Sequence, residues 1–528
     1  MELRKKSFIG VALIGIAIVI TIGVQRQSKL LRGEELAGLY CSTCHLEPSP
    51  EILPKRSWAA ALGYMGYFLG IENTQYLDDE PAFVQANVRS RQEFLQNENS
   101  FPAAPVLDDG DWEALRYYYI ENSPENALPQ FNKPPLQWEL PRFRSLGSSY
   151  RPPQAVTTMV HIREDTNEIY IGDSELNALT VLDQDGRIRV LLRRFRPEIT
   201  PVDIEFINGT AYAASIGDLL AEEASDTRPG SVSTIELVDQ SIADATATMT
   251  LDNLYRVADM EIADLNGDGL NDFVIAGFGA IDGRVSWFES QGDGSYEEHV
   301  LLGLPGAVKI ETHDFNNDDR LDVMVLVSDA REGLHLFINQ GNNQFSAQPI
   351  FETHSGYGHS FFELQDFDGD GAMDVLVVNG DNVDSDPYNT LKNYHGLRIY
   401  LNRGDSRFEE AYFYPLYGAF IAKSADFDND GDLDIAAISF YPDFSSDQRE
   451  AFTYLENQGG LEFAAFTNED AMRGRWMTMD VGDVDGDNDV DVVLGGSYLR
   501  VGMFAYPEIY DELSQRGPAV LILKNTLN

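Results

Sequence analysis

The sequence predicts a multidomain chain: an N-terminal transmembrane helix, a small all-α domain, then a long all-β domain built from repeats. Three observations predict it. Phe8 to Val24 is an uncharged apolar run preceded by Arg4, Lys5 and Lys6. Both cysteines of the chain stand in one pentapeptide, Cys41-Ser42-Thr43-Cys44-His45, in a region that later shows helical spacing. From Asp264 onward an aspartate-rich segment recurs five times, each time ahead of a β-rich apolar run.

The N-terminal run is at the short end for a membrane span. Its basic flank predicts a cytoplasmic N-terminus and an exported body. Signal peptides share this layout but end in a small-residue cleavage site. Here the run ends in Gly23-Val24-Gln25-Arg26-Gln27, without one. No cysteine follows closely, which argues against a lipoprotein. Residues 1–30 therefore read as a cytoplasmic tip and an uncleaved anchor. The expected place is the bacterial cell envelope, anchored in the inner membrane with the body in the periplasm or extracytoplasmic space.

C-x-x-C-H is the attachment signature of a c-type haem. Cys41 and Cys44 sit a helical turn apart and bond the porphyrin, and His45 supplies imidazole to iron. The alternatives are a thioredoxin-like pair or half of a zinc site. Zinc needs two more ligands, and the next histidine is His161. An electron-transfer haem takes a sixth ligand. Met65 is the only methionine between Ser28 and Gln130, so it is the candidate. Its other readings are a core filler beside a five-coordinate haem, or beside one ligated from the second domain. Apolar residues in Trp112-Glu113-Ala114-Leu115-Arg116-Tyr117-Tyr118-Tyr119-Ile120 recur at helical spacing. This resembles the C-terminal helix that packs on the haem-bearing helix in small cytochromes c. Residues 31–130 are the expected monohaem domain, with one covalent haem c. No cysteine remains for disulfides.

The five recurring segments supply Asp264, Asn266, Asp268 and Asp272; Asp314, Asn316, Asp318 and Asp322; Asp366, Asp368, Asp370 and Asp374; Asp426, Asp428, Asp430 and Asp434; and Asp483, Asp485, Asp487 and Asp491. Their first aspartates are 50, 52, 60 and 57 residues apart. Oxygens at positions 1, 3 and 5, with a small residue near 6, surround a hard cation such as calcium. An EF-hand would need glutamate at position 12. Position 12 here is Ile275, Val325, Val377, Ala437 or Leu494, so the ligand set closes at the position-9 aspartate, with the position-7 carbonyl contributing. The other reading is five acidic surface turns. Asp319 stands where the second loop would usually have glycine, which predicts a strained turn.

These segments resemble the FG-GAP/VCBS repeats of integrin-α-type β-propellers, in which each repeat is one four-stranded blade with a calcium loop between two strands. The resemblance implies about five Ca²⁺. Before Arg256 the calcium loops are missing, yet strand signals continue in Glu168–Gly172, Ala178–Leu182, Ile188–Leu191, Val202–Phe206 and Val232–Leu237, room for two more blades. The expectation is seven blades over 154–528, with six or eight as alternatives. Closure removes edge strands that invite aggregation. Residues 131–153, holding Pro134, Pro135, Pro141, Pro152 and Pro153, read as a semi-rigid linker.

Acidic residues number 86 against 38 basic, a net charge of −48. Carboxylates about 4 Å apart repel by about 1–4 kcal/mol at high effective dielectric, and bound cations cancel this. Nucleic acid is a poor partner for such a field. The expected partners are a redox protein or a small-molecule reductant, and the membrane through the N-terminal helix. The first functional reading is an anchored cytochrome whose propeller is a docking platform. The second is a propeller-face oxidoreductase with haem as electron exit, although no nucleophile or nucleotide motif is present. His354, His359, Asp381 and His395 could line its pocket. The third is a calcium-dependent adhesion or carbohydrate-binding protein, which leaves the haem unexplained.

Overall fold

The computed structural model describes the chain except residues 1–20, 44, 98–100, 193–199, 220–227, 280–281, 330, 383–385, 405 and 528. The chain divides into two units: Met1–Leu128 with Ser385–Thr390, and Pro129–Asp384 with Leu391–Asn528. Most of the apolar run expected to span a membrane lies outside the described residues. Among the described residues, no helix is long and apolar enough to cross one.

The first unit is helical. It holds α1 over 21–36, α2 (Lys55–Phe68), α3 (Ala82–Asn97) and α4 (Asp109–Asn122). Trp112, Leu115 and Tyr119 recur at helical spacing on α4 and enter one core with Leu36, Trp58 and Leu62. Asp108 caps α4 by accepting from the Asp111 N–H at 2.8 Å. Gly33 lets α1 approach α4 closely, since a Cβ there would lie 2.3 Å from the Ala114 carbonyl oxygen. Lys29 pairs with Glu113 at 2.6 Å, and Arg32 grips both carboxylate oxygens of Asp111 at 2.8 and 2.5 Å. The helix leading into the pentapeptide thus packs on α4. Within the same unit, Ser57 and Thr390 share a hydroxyl–hydroxyl bond of 2.7 Å.

The second unit is a seven-bladed β-propeller carrying FG-GAP-like repeats. Blades one to six are built in chain order and begin with the strands Thr157–Arg163, Pro201–Ile207, Arg256–Ala263, Ala307–His313, His359–Gln365 and Ala419–Ala425. Blade seven begins with Trp476–Gly482. These first strands lie side by side around the axis, and that of blade seven adjoins that of blade one. Second strands such as Asp322–Val327 and Asp374–Asn379 are buried at every residue. Their β-branched and aliphatic runs suit a strand covered on both faces. Fourth strands such as Tyr296–Leu302 are largely open to solvent. Burial therefore falls from the blade interior to the rim.

The proline-rich stretch is more than a spacer. Leu136–Gln137 runs parallel to the last strand of blade six, pairing with Ala465 and Phe466. Phe143–Gly147 pairs antiparallel with Val520–Asn525 and becomes the outermost strand of blade seven. The ring is closed by a strand from before the first repeat. Prolines on either side limit the unfolded chain without removing ladder donors from these short strands.

Phe143 anchors this closure, with its ring centroid 5.3 Å from Tyr454 and 5.7 Å from Phe427. Phe143→Ala should lower the unfolding free energy of the propeller by about 3–5 kcal/mol, the usual cost of deleting a buried aromatic ring. Urea denaturation followed by far-UV circular dichroism measures it. A midpoint equal to that of the parent chain would show that closure does not depend on this strand.

Candidate functional site

Each of the five acidic loops connects the first and second strands of its blade. The backbone is left-handed at positions 4 and 6 in all five. These are Gly267 and Gly269, Asn317 and Asp319, Gly369 and Gly371, Asn429 and Gly431, and Gly486 and Asn488. Glycine, asparagine and aspartate are the residues that tolerate this conformation. Asp319, at φ 63°, takes the same turn as the glycines of the other loops. The position-1 aspartate organises each turn. In the third loop Asp366 accepts from the N–H groups of Gly369, Asp370 and Gly371 at 2.8, 3.1 and 2.9 Å.

The position-9 aspartates are fully buried, and each is held by two backbone donors. Asp374 accepts from Phe367 in its own loop at 2.8 Å and from Asn402, at the end of the third strand, at 2.7 Å. Asp272, Asp322, Asp434 and Asp491 repeat the arrangement with Ser290, Asn339, Asn457 and Asn525 as the second donor. Burial raises all five carboxyls, Asp434 and Asp491 to about 7. The partner asparagines also reach outward. Asn339 donates to the Leu265 carbonyl of the preceding blade at 2.8 Å, and Asn525 to that of Phe427 at 2.8 Å. The recurring Asn-x-Gly at Asn339, Asn402 and Asn457 is the sequence signal for them.

The donor sets fit a divalent cation. Carboxylate oxygens of Asp366, Asp368 and Asp374 lie within 4.8 Å of one another, as do those of Asp483, Asp485 and Asp491, and of Asp426, Asp428 and Asp430. Asp432 Oδ1, Asp485 Oδ1 and both oxygens of Asp489 are buried without any donor. Unpaired buried carboxylate oxygens are costly unless a cation takes them. Asp432 and Asp489 occupy position 7, where the sequence suggests only a carbonyl ligand. The first two loops have Asn266 and Asn316 at position 3 and so hold one carboxylate fewer at positions 1, 3, 5 and 9.

A second polar feature lies on the propeller axis and has no motif in the sequence. The first strands present His161, Glu205, Glu261, Glu311, Glu363, Lys423 and Asp480 at equivalent positions, with Asp203, Asp259 and Lys309 in the adjacent layer. Several of these acids accept a backbone N–H from the next blade. Asp259 takes that of Ile310 at 2.8 Å, Glu311 that of Leu364 at 3.1 Å, and Asp480 that of Ile162 at 2.8 Å. Lys309 pairs with Asp259 at 3.1 Å and Lys423 with Asp480 at 2.9 Å. Among the described residues, Glu205 and Glu261 form no such ion pair. Burial, then neighbouring carboxylates, push Glu205 up to about 9. Burial also lifts Glu261 to about 8, against the pull of Lys309.

His359 and His395 lie in the interior of blade five rather than on an open face. His359 Nδ1 meets Glu332 at 2.9 Å. Burial lowers His359 to about 3 and raises Glu332 well above its ordinary value. Burial and the nearby Lys392 also keep His395 neutral. His354 stacks edge-on against Tyr357 and Tyr394. These residues, with Asp381 at the left-handed Gly358, pack the blade's long connection.

In the helical unit the pentapeptide begins where α1 ends in a π-turn, Ala37–Cys41. Burial holds the Cys41 thiol above its usual value. Cys44 lies outside the described residues. His45 is half-buried, and its Nδ1 lies 2.8 Å from the Leu46 carbonyl oxygen. With Nδ1–H donating there, Nε2 keeps its lone pair, the arrangement of a metal-ligating imidazole. Tyr67 Oη, Trp112 Nε1 and Arg116 Nε are buried without a hydrogen-bond partner among the described residues. Such donors suit the carboxylates of a haem. Met65 stands half-buried on α2.

Residues 264–325 and 314–377 match the FG-GAP-like repeat family. No curated protein matches the chain. In fold it is similar to an ancestral GH74 enzyme at 11% identity and TM-score 0.47, over 77% of this chain and 52% of that one. This chain thus spans about half the length of that enzyme. It is also similar to an S. cerevisiae assembly of dbp5 with nup159, gle1, IP6 and ADP, at 10% identity and TM-score 0.39, over 75% and 99% of the two chains. Likeness at this distance concerns shape alone.

If the loops hold calcium, chelation should lower the melting temperature of the propeller, because a ligand at 100 times its dissociation constant stabilises by about 2.7 kcal/mol per site. Asp370→Ala should remove one calcium and weaken the effect without abolishing it. Fewer than about three calciums per chain by atomic absorption would contradict the loop reading, since extracellular modules of this type saturate near 1 mM. A second outcome concerns pH. Glu205 and Glu261 bind protons more tightly folded than unfolded, so their contribution is complete below the ordinary value of 4.5 and lost as pH rises toward about 9. Urea midpoints in excess calcium should fall across that window, and Glu205→Gln with Glu261→Gln should flatten the decline.

Proposed function

We propose that the chain is an exported, membrane-anchored c-type cytochrome in which the helical unit transfers electrons and the calcium-stabilised propeller is a docking or recognition platform. The pentapeptide at the end of α1 carries this reading. Cys41 and Cys44 would tether the porphyrin and His45 would ligate its iron through Nε2. A bound haem supplies one reversible electron. The surrounding side chains then exclude water and set the potential. Met65 is the candidate sixth ligand, and methionine ligation raises the potential. The anchor would keep the unit at the outer face of the cytoplasmic membrane, where c-type attachment takes place.

The propeller's role in this reading follows from its rigidity. Closed blades with buried second strands present loops from a fixed frame, which suits a platform for a partner. The partner is a redox protein or a small reductant. An oxidoreductase on the propeller face is the second reading, favoured by the raised axial carboxyls Glu205 and Glu261, since perturbed acids cluster at functional sites.

The pigment should survive acidified acetone and stain as haem on a denaturing gel, and Cys41→Ala with Cys44→Ala should abolish both. Loss of colour to acetone from the parent chain would remove the cytochrome reading. Met65→Ala should lower the reduction potential and erase the charge-transfer band of methionine ligation. Difference spectra with small reductants separate the two functional readings: reduction by a small molecule alone favours the enzyme, and reduction only through a protein favours the relay.

A further inference from the structure

The outer strands of blade three hold a histidine and two glutamates that belong to none of the five loops. Strands Arg284–Ser290 and Tyr296–Leu302 pair antiparallel, placing Glu289 directly opposite Glu297 and Trp287 directly opposite His299. All four side chains therefore share one face. One ligand atom from each of Glu289, Glu297 and His299 lies within 4.8 Å of the others. His299 Nε2 is 2.8 Å from Glu289 Oε2. Donors of a single zinc ion, each about 2.0–2.2 Å from the metal, stand about 3 Å apart, so this pair is already at ligand spacing.

The surroundings orient this trio. The Trp287 ring, fully buried, lies against the His299 imidazole at 4.7 Å and 31°. Asn266 of the first acidic loop donates to Glu289 Oε1 at 2.9 Å. Asn343, from the hairpin turn of blade four, donates to Glu289 Oε2 at 3.0 Å. Its side-chain oxygen is a fourth donor after a simple amide flip. Two carboxylates directly opposite on neighbouring strands destabilise a sheet. A cation between them reverses that sign. The hydrogen bond between His299 and Glu289 does not involve Glu297, and Glu297 is the residue that separates the two accounts.

We propose that Glu289, Glu297 and His299 form a binding site for a divalent transition-metal ion, zinc or copper, distinct from the aspartate loops. One imidazole nitrogen among carboxylate oxygens favours these ions over calcium, which takes oxygen ligands. The site lies at the seam of blades three and four and shares Asn266 with the first loop.

Trp287 is the reporter. The full chain is held in excess calcium and titrated with Cu²⁺, a quencher of indole emission, using Trp287→Phe to isolate the signal of that ring. The expected result is saturable quenching at one equivalent, reversed by Zn²⁺ and unaffected by further calcium. Glu297→Gln, an exposed change, and His299→Ala should each weaken the apparent copper affinity by about 10-fold or more. Unaltered affinity in Glu297→Gln would overturn the site and leave only the His299–Glu289 hydrogen bond. Displacement of copper by calcium would overturn it as well, marking the cluster as an extension of the first loop. Absence of Trp287 quenching in the parent chain would do the same. Melting curves of both variants in chelator, matching the parent, exclude misfolding as the cause.

Discussion

The propeller depends on a buried carboxylate at the root of each acidic loop. Asp272, Asp322, Asp374, Asp434 and Asp491 are each closed off from solvent and each spend both oxygens on backbone N–H groups. One donor lies in the loop and the other at the end of the third strand. A single side chain therefore fixes the loop to the sheet and sets where the next hairpin starts. Burying a charge this way is costly, and backbone donors offset only part of the cost. Burial pushes the carboxyls of Asp434 and Asp491 up to about 7 despite these donors. A cation held by the outer aspartates would keep these carboxylates ionised, which ties blade geometry to calcium rather than merely decorating it.

The same logic extends from blade to blade. Asn339 and Asn525 carry the clasp across the seam to the preceding blade, while the axial acids accept N–H groups from the following one. Propeller blades pack face to face through apolar side chains, which are poorly directional. Hydrogen bonds at the rim and at the axis supply the missing angle. Closure then falls to Phe143–Gly147, which pairs with a strand at the far end of the propeller sequence.

Much of this was legible in the residues. Spacing alone located the five loops, and the unbroken apolar runs after them marked the second strands. Blades one and two were inferred from strand-like runs without loops, and the seven sheets bear this out. Three things were hidden for physical reasons. Phe143–Gly147 lies among prolines, and prolines mark linkers far more often than strands. The axial ring consists of single polar residues about 50 residues apart, each inside an ordinary strand pattern, and only closure brings them together. The position-7 side chains of Asp432 and Asp489 were missed, because a loop template assigns that position to its carbonyl. Asp319 shows the opposite error. It occupies the left-handed turn at φ 63° because aspartate, like asparagine, tolerates that region.

The charge of the chain acquires a structural meaning from this arrangement. An excess of acid is usually a matter of solubility and steering, not of fold. Here a large share of the aspartates is invested in loop roots and seams, where each carboxylate meets a backbone donor or another carboxylate. Repulsion within the loops is local and short in range, so salt screens it poorly, whereas a single coordinated ion cancels several charges at once. The axis works differently. There Lys309 and Lys423 neutralise Asp259 and Asp480 directly, and Glu205 and Glu261 avoid repulsion by holding their protons. Two arrangements of acid thus sit in the same ring: carboxylate clusters of cation-binding geometry at the rim, and lysine with protonation at the centre. If the rim holds a cation, chelators should act there and leave the lysine-paired centre untouched.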